Sequence, residues 1–340
     1  MRIAIINPAV TISHTGGVKV QCFMWKDGLE ELGHDVELIN IWNDNNWRSF
    51  DAIIIMGYDT HSLGYTRFLH SQNKNILLAP IIDLTTSSNV IKRLNKFGKL
   101  GKIIGHRYGI PDDLYNIKNH TDFIQRYLIR SDYEKSFLNA IGINDEKIDY
   151  VPLHFRVNPP SSMPTNKEDF VFIACLLADE RKNVKRLVES AKKYGFKLVL
   201  AGTLRNEKER NWLQSLIEDF DNIKYIGRLS DEELFSYYER AKVFALPSLN
   251  EGVGMVALEA ATFGCEIVLT NIGAPKEYYN GMAHLVNPYD IDDIGNSILD
   301  ALNGINNSQP ELRNYVIKNF CSTRCMQMLE STINSTKKDA

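Results

Sequence analysis

Two carboxylates, Glu251 and Glu259, stand with seven residues between them around the loop Glu251-Gly252-Val253-Gly254. A carboxylate accepts hydrogen bonds from hydroxyls. Met255-Val256-Ala257-Leu258-Glu259-Ala260-Ala261 follows the loop with no breaker and good helix formers. A helix start leaves backbone N–H groups unpaired, with the positive end of its dipole toward the loop. Glycines there let an anion approach the backbone closely. The stretch therefore offers phosphate contacts beside hydroxyl contacts, the pattern of a phosphorylated sugar or a nucleotide.

The elements that must hold this loop are readable on either side. Val243-Phe244-Ala245-Leu246 is a short apolar run that Pro247-Ser248 stops, so the order is buried strand, Gly-rich loop, helix. The Pro-Ser, the spaced glutamates, the Gly-Val-Gly and the tail Glu259-Ala260-Ala261-x-x-Gly264 resemble the donor-site motif of group 1 retaining glycosyltransferases. That resemblance implies an α/β GT-B fold, two Rossmann-like domains with parallel sheets facing across a cleft. It implies that Glu251 holds the transferred sugar and Glu259 the ribose of the nucleotide. The backbone of Gly252, Val253, Gly254, Met255 and Val256 would take diphosphate and sugar oxygens.

The resemblance extends along the chain. Arg181-Lys182-Asn183 resembles the family's diphosphate-binding loop, where Lys182, helped by Arg181, would stabilise the leaving diphosphate. Arg228 and Leu229, in the turn after Ile223–Gly227, stand where the family touches the nucleobase. Gly273-Ala-Pro-Lys-Glu277 resembles its Gly-x-x-Glu turn, and Gly16-Gly17 its N-terminal double glycine facing the cleft. Departures are equally plain. The family's His-Asp pair reads Ile82-Asp83, leaving Asp83 and the nearby His106 as acceptor-site candidates. Leu176 and Leu177 occupy the places of an expected arginine. Pro152-Leu153-His154-Phe155-Arg156 replaces Pro-Asn-Gly-Val-Asp.

Composition sets bounds. At 340 residues, 44% hydrophobic and 24% charged, the chain reads as a soluble two-domain protein. A net charge of −3 gives no general drive toward nucleic acid. Five cysteines without a Cys-x-x-Cys pair argue against structural zinc and suit a reducing compartment. No metal is expected. Met1-Arg-Ile-Ala begins a strand at once, so no signal peptide and a cytoplasmic location are expected. No apolar run reaches the length of a membrane span.

Punctuation then divides the chain. A β-loop-α-β opening, Arg2 to Ile39, starts a parallel sheet. Asp122–Leu128 reads as a strand edge, and Asp132–Ile141 as a helix that Gly142 stops. Val157 to Asn166 is rich in Pro and Ser and separates an acceptor domain, 1–156, from a donor domain, 167–310. Ser230-Asp-Glu-Glu233 resembles a capping box. Leu312–Ile333 reads as helix, and the segment 311–333 is expected to cross back onto the first domain, as in the family. Residues 84–111 lack Asp and Glu but carry Lys92, Arg93, Lys96, Lys99, Lys102 and Arg107 among apolar residues. Such a stretch suits a solvated face, or an anionic acceptor or membrane surface at the inner side of the membrane. A nucleic-acid backbone also fits its charge, but no base-reading motif accompanies it.

The sequence thus points to a metal-independent retaining glycosyltransferase with a UDP- or GDP-sugar as co-substrate and no tightly bound cofactor. Its acceptor would be a glycan, lipid-linked or other hydroxyl compound, in polysaccharide or glycoconjugate synthesis. The departures keep two alternatives open: a non-catalytic sugar-nucleotide-binding partner subunit, and a GT-B sugar-nucleotide epimerase.

Overall fold

The computed structural model describes residues 1–7, 17–40, 42–58, 63–82, 117 and 119–336. They form two compact units, one holding described residues up to Leu153 together with those from Ser322, the other His154–Cys321.

The first unit alternates strand and helix: β1 (Arg2–Ile6), α1 (Gly17–Glu31), β2 (Asp35–Leu38), β3 (Ala52–Met56), α2 (Thr66–Gln72), β4 (Ile76–Ala79), β5 (Arg126–Ile129), α3 (Asp132–Ile141) and β6 (Ile148–Tyr150). The strands make one parallel sheet in the order β2-β1-β3-β4-β5-β6. β3 and β4 are buried along their whole length. That accounts for their unbroken apolar sequence, since a parallel sheet is covered on both faces. Ser131 accepts a hydrogen bond from the Glu134 N–H at the start of α3, and Gly142 ends it at φ 92°. The helix Ser322–Thr336 completes the layer over α1. A Cβ on Gly28 would lie 2.6 Å from Met326 Cγ and Ser322 Oγ, so only glycine allows that approach. His34 Nε2 meets Glu330 Oε1 at 3.0 Å beside it.

The second unit repeats the plan with β7 (Glu168–Ala174), α4 (Val184–Tyr194), β8 (Leu198–Ala201), α5 (Glu207–Ile217), β9 (Ile223–Tyr225), α6 (Asp231–Arg240), β10 (Ala241–Leu246), α7 (Met255–Thr262), β11 (Glu266–Thr270), β12 (His284–Val286), α8 (Ile291–Leu302) and α9 (Glu311–Phe320). Its parallel sheet runs β12-β11-β10-β7-β8-β9. The chain proceeds outward from β7 to β9, then returns to lay β10 against the other side of β7. The carboxyl ends of β7 and β10 therefore flank the point where strand order reverses, the place where open α/β sheets bind ligands. The capping box at Ser230 and Glu233 forms in full.

Three local expectations need correction. Asp122–Leu128 is not one strand edge: Thr121–Phe123 is a 3-10 turn and β5 begins at Arg126. Glu180–Lys182 is a 3-10 turn rather than open loop, with the Asp179 carboxylate accepting from the Arg181 N–H. Leu312–Ile333 is not continuous: Cys321 is extended (φ −74°, ψ 154°) between α9 and α10, the helix Ser322–Thr336. The Phe320 carbonyl accepts from the Phe155 N–H at 3.3 Å, and its ring packs 4.7 Å from Tyr278, which holds the end of α9 within the second unit. None of the described helices is long and apolar enough to cross a membrane.

Candidate donor site

The loop after β10 is shaped by its glycines. Gly254 precedes α7 at φ 76°, a left-handed conformation that glycine adopts without strain. A Cβ on it would sit 3.3 Å from Leu246 Cδ2 and 3.5 Å from Glu251 Cγ. Gly273, at φ 78°, passes the Glu251 carbonyl so closely that a Cβ would lie 3.3 Å from that oxygen. Between these approaches the Glu251 side chain is fixed: its Oε2 accepts from Lys182 Nζ at 2.5 Å and from Ser248 Oγ at 3.2 Å.

Lys182 arrives from the loop after β7. Its position is set by Asn183, which is buried and left-handed (φ 57°). The Asn183 amide donates to the Pro247 carbonyl at 2.9 Å and to the Pro288 carbonyl at 2.6 Å. The Leu249 N–H donates to the Arg181 carbonyl at 2.7 Å. Two loops 69 residues apart in sequence are thereby joined at the reversal point, with the Lys182–Glu251 pair across them. The side chains are 18% and 15% exposed, so the pair is mostly withdrawn from water yet reachable. Arg181 instead grips Asp179, Nη2 to Oδ2 at 2.7 Å, and these hydrogen bonds hold the Asp179 carboxyl below its ordinary range. Leu177 is buried, whereas Leu176 is exposed.

Glu259 lies on α7 and is wholly buried. Arg156 holds it in a forked pair, Nε to Oε1 at 2.7 Å and Nη2 to Oε2 at 3.2 Å, and the Tyr238 hydroxyl donates to Oε2 at 3.4 Å. Burial raises the Glu259 carboxyl above its ordinary value, against the opposing pull of Arg156. Asp231, the first residue of α6, lies within electrostatic reach of both partners. The turn Arg228-Leu229 comes just before it; Arg228 is exposed and Leu229 half-buried. Val253 and Gly254 are buried, while Gly252, Met255 and Val256 are half-buried.

Tyr279 was not singled out in the sequence. It ends the 3-10 turn Pro275–Tyr279 that follows Gly273 and is fully buried, and among the described residues its hydroxyl has no hydrogen-bond partner. Burial first, then the negative charge of Glu251, raises the phenol above its ordinary value. Arg156 and Ser248 were likewise missed as site residues. Tyr279 and Arg156 sit on separate loops, and only their position in the fold could have marked them. Cys175, at the end of β7, has its thiol pushed up to about 12 by burial, which keeps it protonated. A cavity of about 670 Å³ opens at the start of α4, lined by Leu177, Asp179, Asn183, Arg186, Trp212 and Leu249. Neither Lys182 nor Glu251 lines it.

Other expected site residues fall elsewhere. Gly17 opens α1 with open space around its Cα, while Gly16, Asp83, His106 and the basic stretch 84–111 lie outside the described residues. Ile82, in the place of the family's histidine, is a core residue of the first unit; its N–H donates to Glu134 Oε1 at 2.8 Å.

Two parallel-sheet α/β units, with a Gly-rich strand–helix corner beside a lysine loop in the second, define the class: a GT-B fold of two Rossmann-like units. Residues 158–320 match the family described as glycosyl transferases group 1. It is 26% identical over 285 residues to the serotype-specific mannosyltransferase WbdA of Escherichia coli, over 78% of this chain and 33% of that one. The chain thus spans about a third of the length of the curated mannosyltransferases it matches. Among solved structures it resembles sucrose-phosphate synthase of Thermosynechococcus elongatus, with a TM-score of 0.76 at 15% identity over 100% of both chains. An Anabaena protein in complex with UDP and glucose has a TM-score of 0.70 at 13% identity, over 98% of this chain and 100% of that one. At such identities these two likenesses carry the fold alone.

Proposed function

We propose that the chain is a retaining, metal-independent glycosyltransferase that moves a sugar from a nucleoside-diphosphate donor to an acceptor hydroxyl in glycan synthesis. The observation that carries this reading is the Lys182–Glu251 pair at the carboxyl ends of β7 and β10, where the sheet order reverses. Glu251 offers carboxylate oxygens to the hydroxyls of the transferred sugar. Lys182 offers three N–H donors to the diphosphate, and the first turn of α7, entered at Gly254, offers backbone N–H groups to the same charge. In the reaction the bond between the sugar C1 and the diphosphate oxygen breaks. The acceptor oxygen bonds to C1 on the same face, and its proton passes to the departing diphosphate. The charge that develops on the diphosphate is met by Lys182 and the helix start, the role a metal ion plays in other phosphate sites.

Glu259 keeps acceptor capacity for a ribose hydroxyl, since Oε1 takes one donor from Arg156, but it is wholly buried and fits the ribose role only if its surroundings open to the ligand. Arg228 and Leu229 would flank the base beyond it. The Tyr279 hydroxyl, buried under the influence of Glu251 and without a partner among the described residues, is free to donate to a ligand oxygen. The similarity to an O-antigen chain mannosyltransferase of Escherichia coli supports a glycan product.

The test is incubation of the full chain with UDP- and GDP-sugars, with and without glycan acceptors, following release of the nucleoside diphosphate. Release by the wild type that Glu251→Gln cuts sharply, in a protein that melts normally, is expected. Near-wild-type release by Glu251→Gln would remove the assigned role. Binding of nucleoside diphosphates without any release would instead identify a partner subunit.

A further inference from the structure

A second cavity, of about 730 Å³, lies entirely in the first unit. It is built at the carboxyl edge of that sheet: Ile6 ends β1, Trp42 to Trp47 follow β2, and Tyr65, Phe68 and Gln72 belong to α2 and its start after β3. β2, β1 and β3 are neighbours, and the strand order reverses between β1 and β3. The cavity therefore occupies the ligand-binding position of an open α/β sheet.

Its walls are unusual for a protein surface. Trp42 is 89% exposed, Phe68 55% and Tyr65 47%, and all three line this one space. Clustered exposed aromatic area costs hydrophobic free energy and marks a surface made to be covered. The segment that carries Trp42 is held in place. Asn40 Oδ1 accepts from the Trp42 N–H at 3.0 Å, and Asn45 Nδ2 donates to the carbonyls of Asn40 (3.2 Å) and Asn43 (2.9 Å). Trp47 packs 6.3 Å from Phe50, and Asn73 donates to the carbonyls of both. Among the described residues, the side chains of Asn43 and Asp44 have no hydrogen-bond partner and stand at the same rim.

We propose that this cavity binds a neutral oligosaccharide and so holds a glycan acceptor. Aromatic faces suit the C–H faces of pyranose rings, while Asn43, Asp44 and Gln72 suit their hydroxyls. Among the described residues the lining contains no lysine, arginine or histidine, and Asp44 is negative, which favours a neutral ligand over a phosphate or nucleotide. The polar rim likewise disfavours a purely apolar chain. The volume lies in the range of small-molecule sites, roughly 300–1,000 Å³. Saccharide binding stands on this cavity alone; its role as acceptor subsite rests on the proposed transfer reaction.

The full chain and its Trp42→Ala and Phe68→Ala variants are titrated with di- and trisaccharides of glucose, mannose and galactose, by calorimetry and tryptophan fluorescence. UDP and GDP are titrated in a separate arm. Both side chains are exposed, so the variants should keep the wild-type circular dichroism and melting temperature. The expected result is binding of at least one oligosaccharide, weakened about tenfold or more by each truncation, with nucleoside diphosphate affinity unchanged. Absence of binding across the panel, or binding that neither variant alters, overturns the proposal. Oligosaccharide binding lost in the variants, in a protein that binds neither nucleotide, would leave the saccharide site standing and remove the transferase reading.

Discussion

Replacing Glu251 by glutamine should tighten the binding of a free nucleoside diphosphate while it suppresses turnover. In the free protein Lys182 Nζ is already engaged, 2.5 Å from Glu251 Oε2. A diphosphate can recruit Lys182 only by loosening that pair. Opposite charges at this distance attract by roughly 7 kcal/mol at an effective dielectric of ~20. Desolvation of side chains only 18% and 15% exposed offsets most of it, leaving about 1–2 kcal/mol to be given up on binding. Removing the carboxylate charge returns that amount, about 5–30-fold in affinity. Lys182→Met should act oppositely. It removes a charge-assisted hydrogen bond of about 1.5–3 kcal/mol, and so weakens UDP or GDP by about tenfold or more. The double variant should track Lys182→Met, because without the lysine the carboxylate has nothing to withhold. Calorimetric titration of UDP and GDP into the four proteins closes the cycle. If Glu251→Gln weakens the nucleoside diphosphate as Lys182→Met does, the pair does not compete with the ligand and the reasoning fails.

Arg156→Ala should lower stability by about 3 kcal/mol or more, because it strands a buried carboxylate; Arg156→Ala with Glu259→Gln should recover part of the loss in urea unfolding. A single Arg156→Ala midpoint equal to wild type would show that Glu259 finds another partner. Tyr279→Phe should leave the unfolding midpoint unchanged or raised, since the hydroxyl it removes has no hydrogen-bond partner, yet should slow sugar transfer; a fall in stability with normal turnover would assign the hydroxyl a structural role instead. The carboxyls of Asp179, Glu168, Asp145 and Asp292 are held low by hydrogen bonds from Arg181, Arg240, Lys135 and Lys193, respectively. Their stabilisation is complete above the unfolded carboxylate range, near pH ~4, and is lost as pH falls through the lower folded values. Glu259, raised by burial, works in the opposite direction. Melting temperature should therefore fall on acidification from pH ~5 to ~3, and a rise would mean that the carboxyls raised by burial, Glu259 and Asp149, outweigh the four together.

What could be read in advance was local punctuation. Pro247, Gly252 and Gly254 mark the end of β10 and the entry to α7, because each restricts or frees the backbone at its own position. Ser230 with Glu233, and Gly142 after α3, are self-contained caps of the same kind. Pairings across the chain left no such mark. Arg156 reaches Glu259 from 103 residues away, and in sequence it registered only as a departure from the family's aspartate. Tyr279 looks like any core tyrosine until its hydroxyl is found without a partner. The interruption at Cys321 has no proline or glycine to announce it; it follows from the Phe320 carbonyl turning to Phe155. Trp42, Tyr65 and Phe68 belong to separate segments that only the sheet order brings to one edge.

Helix α10 gives the protein an order of assembly. It supplies Cys325, Met326, Leu329 and Ile333 to the core that contains Trp25 and Leu29 of α1. His34 and Glu330, which meet beside it, are 296 residues apart. On the ribosome, α1 and the early strands emerge long before the helix that covers them. The described residues of the second unit, His154–Cys321, are contiguous and are all in hand before that helix is made. Closing so long a loop is slow and leaves apolar surface uncovered meanwhile. The half of the molecule translated first is thus the half completed last, and its uncovered α1 face is where a chaperone would have most to shield.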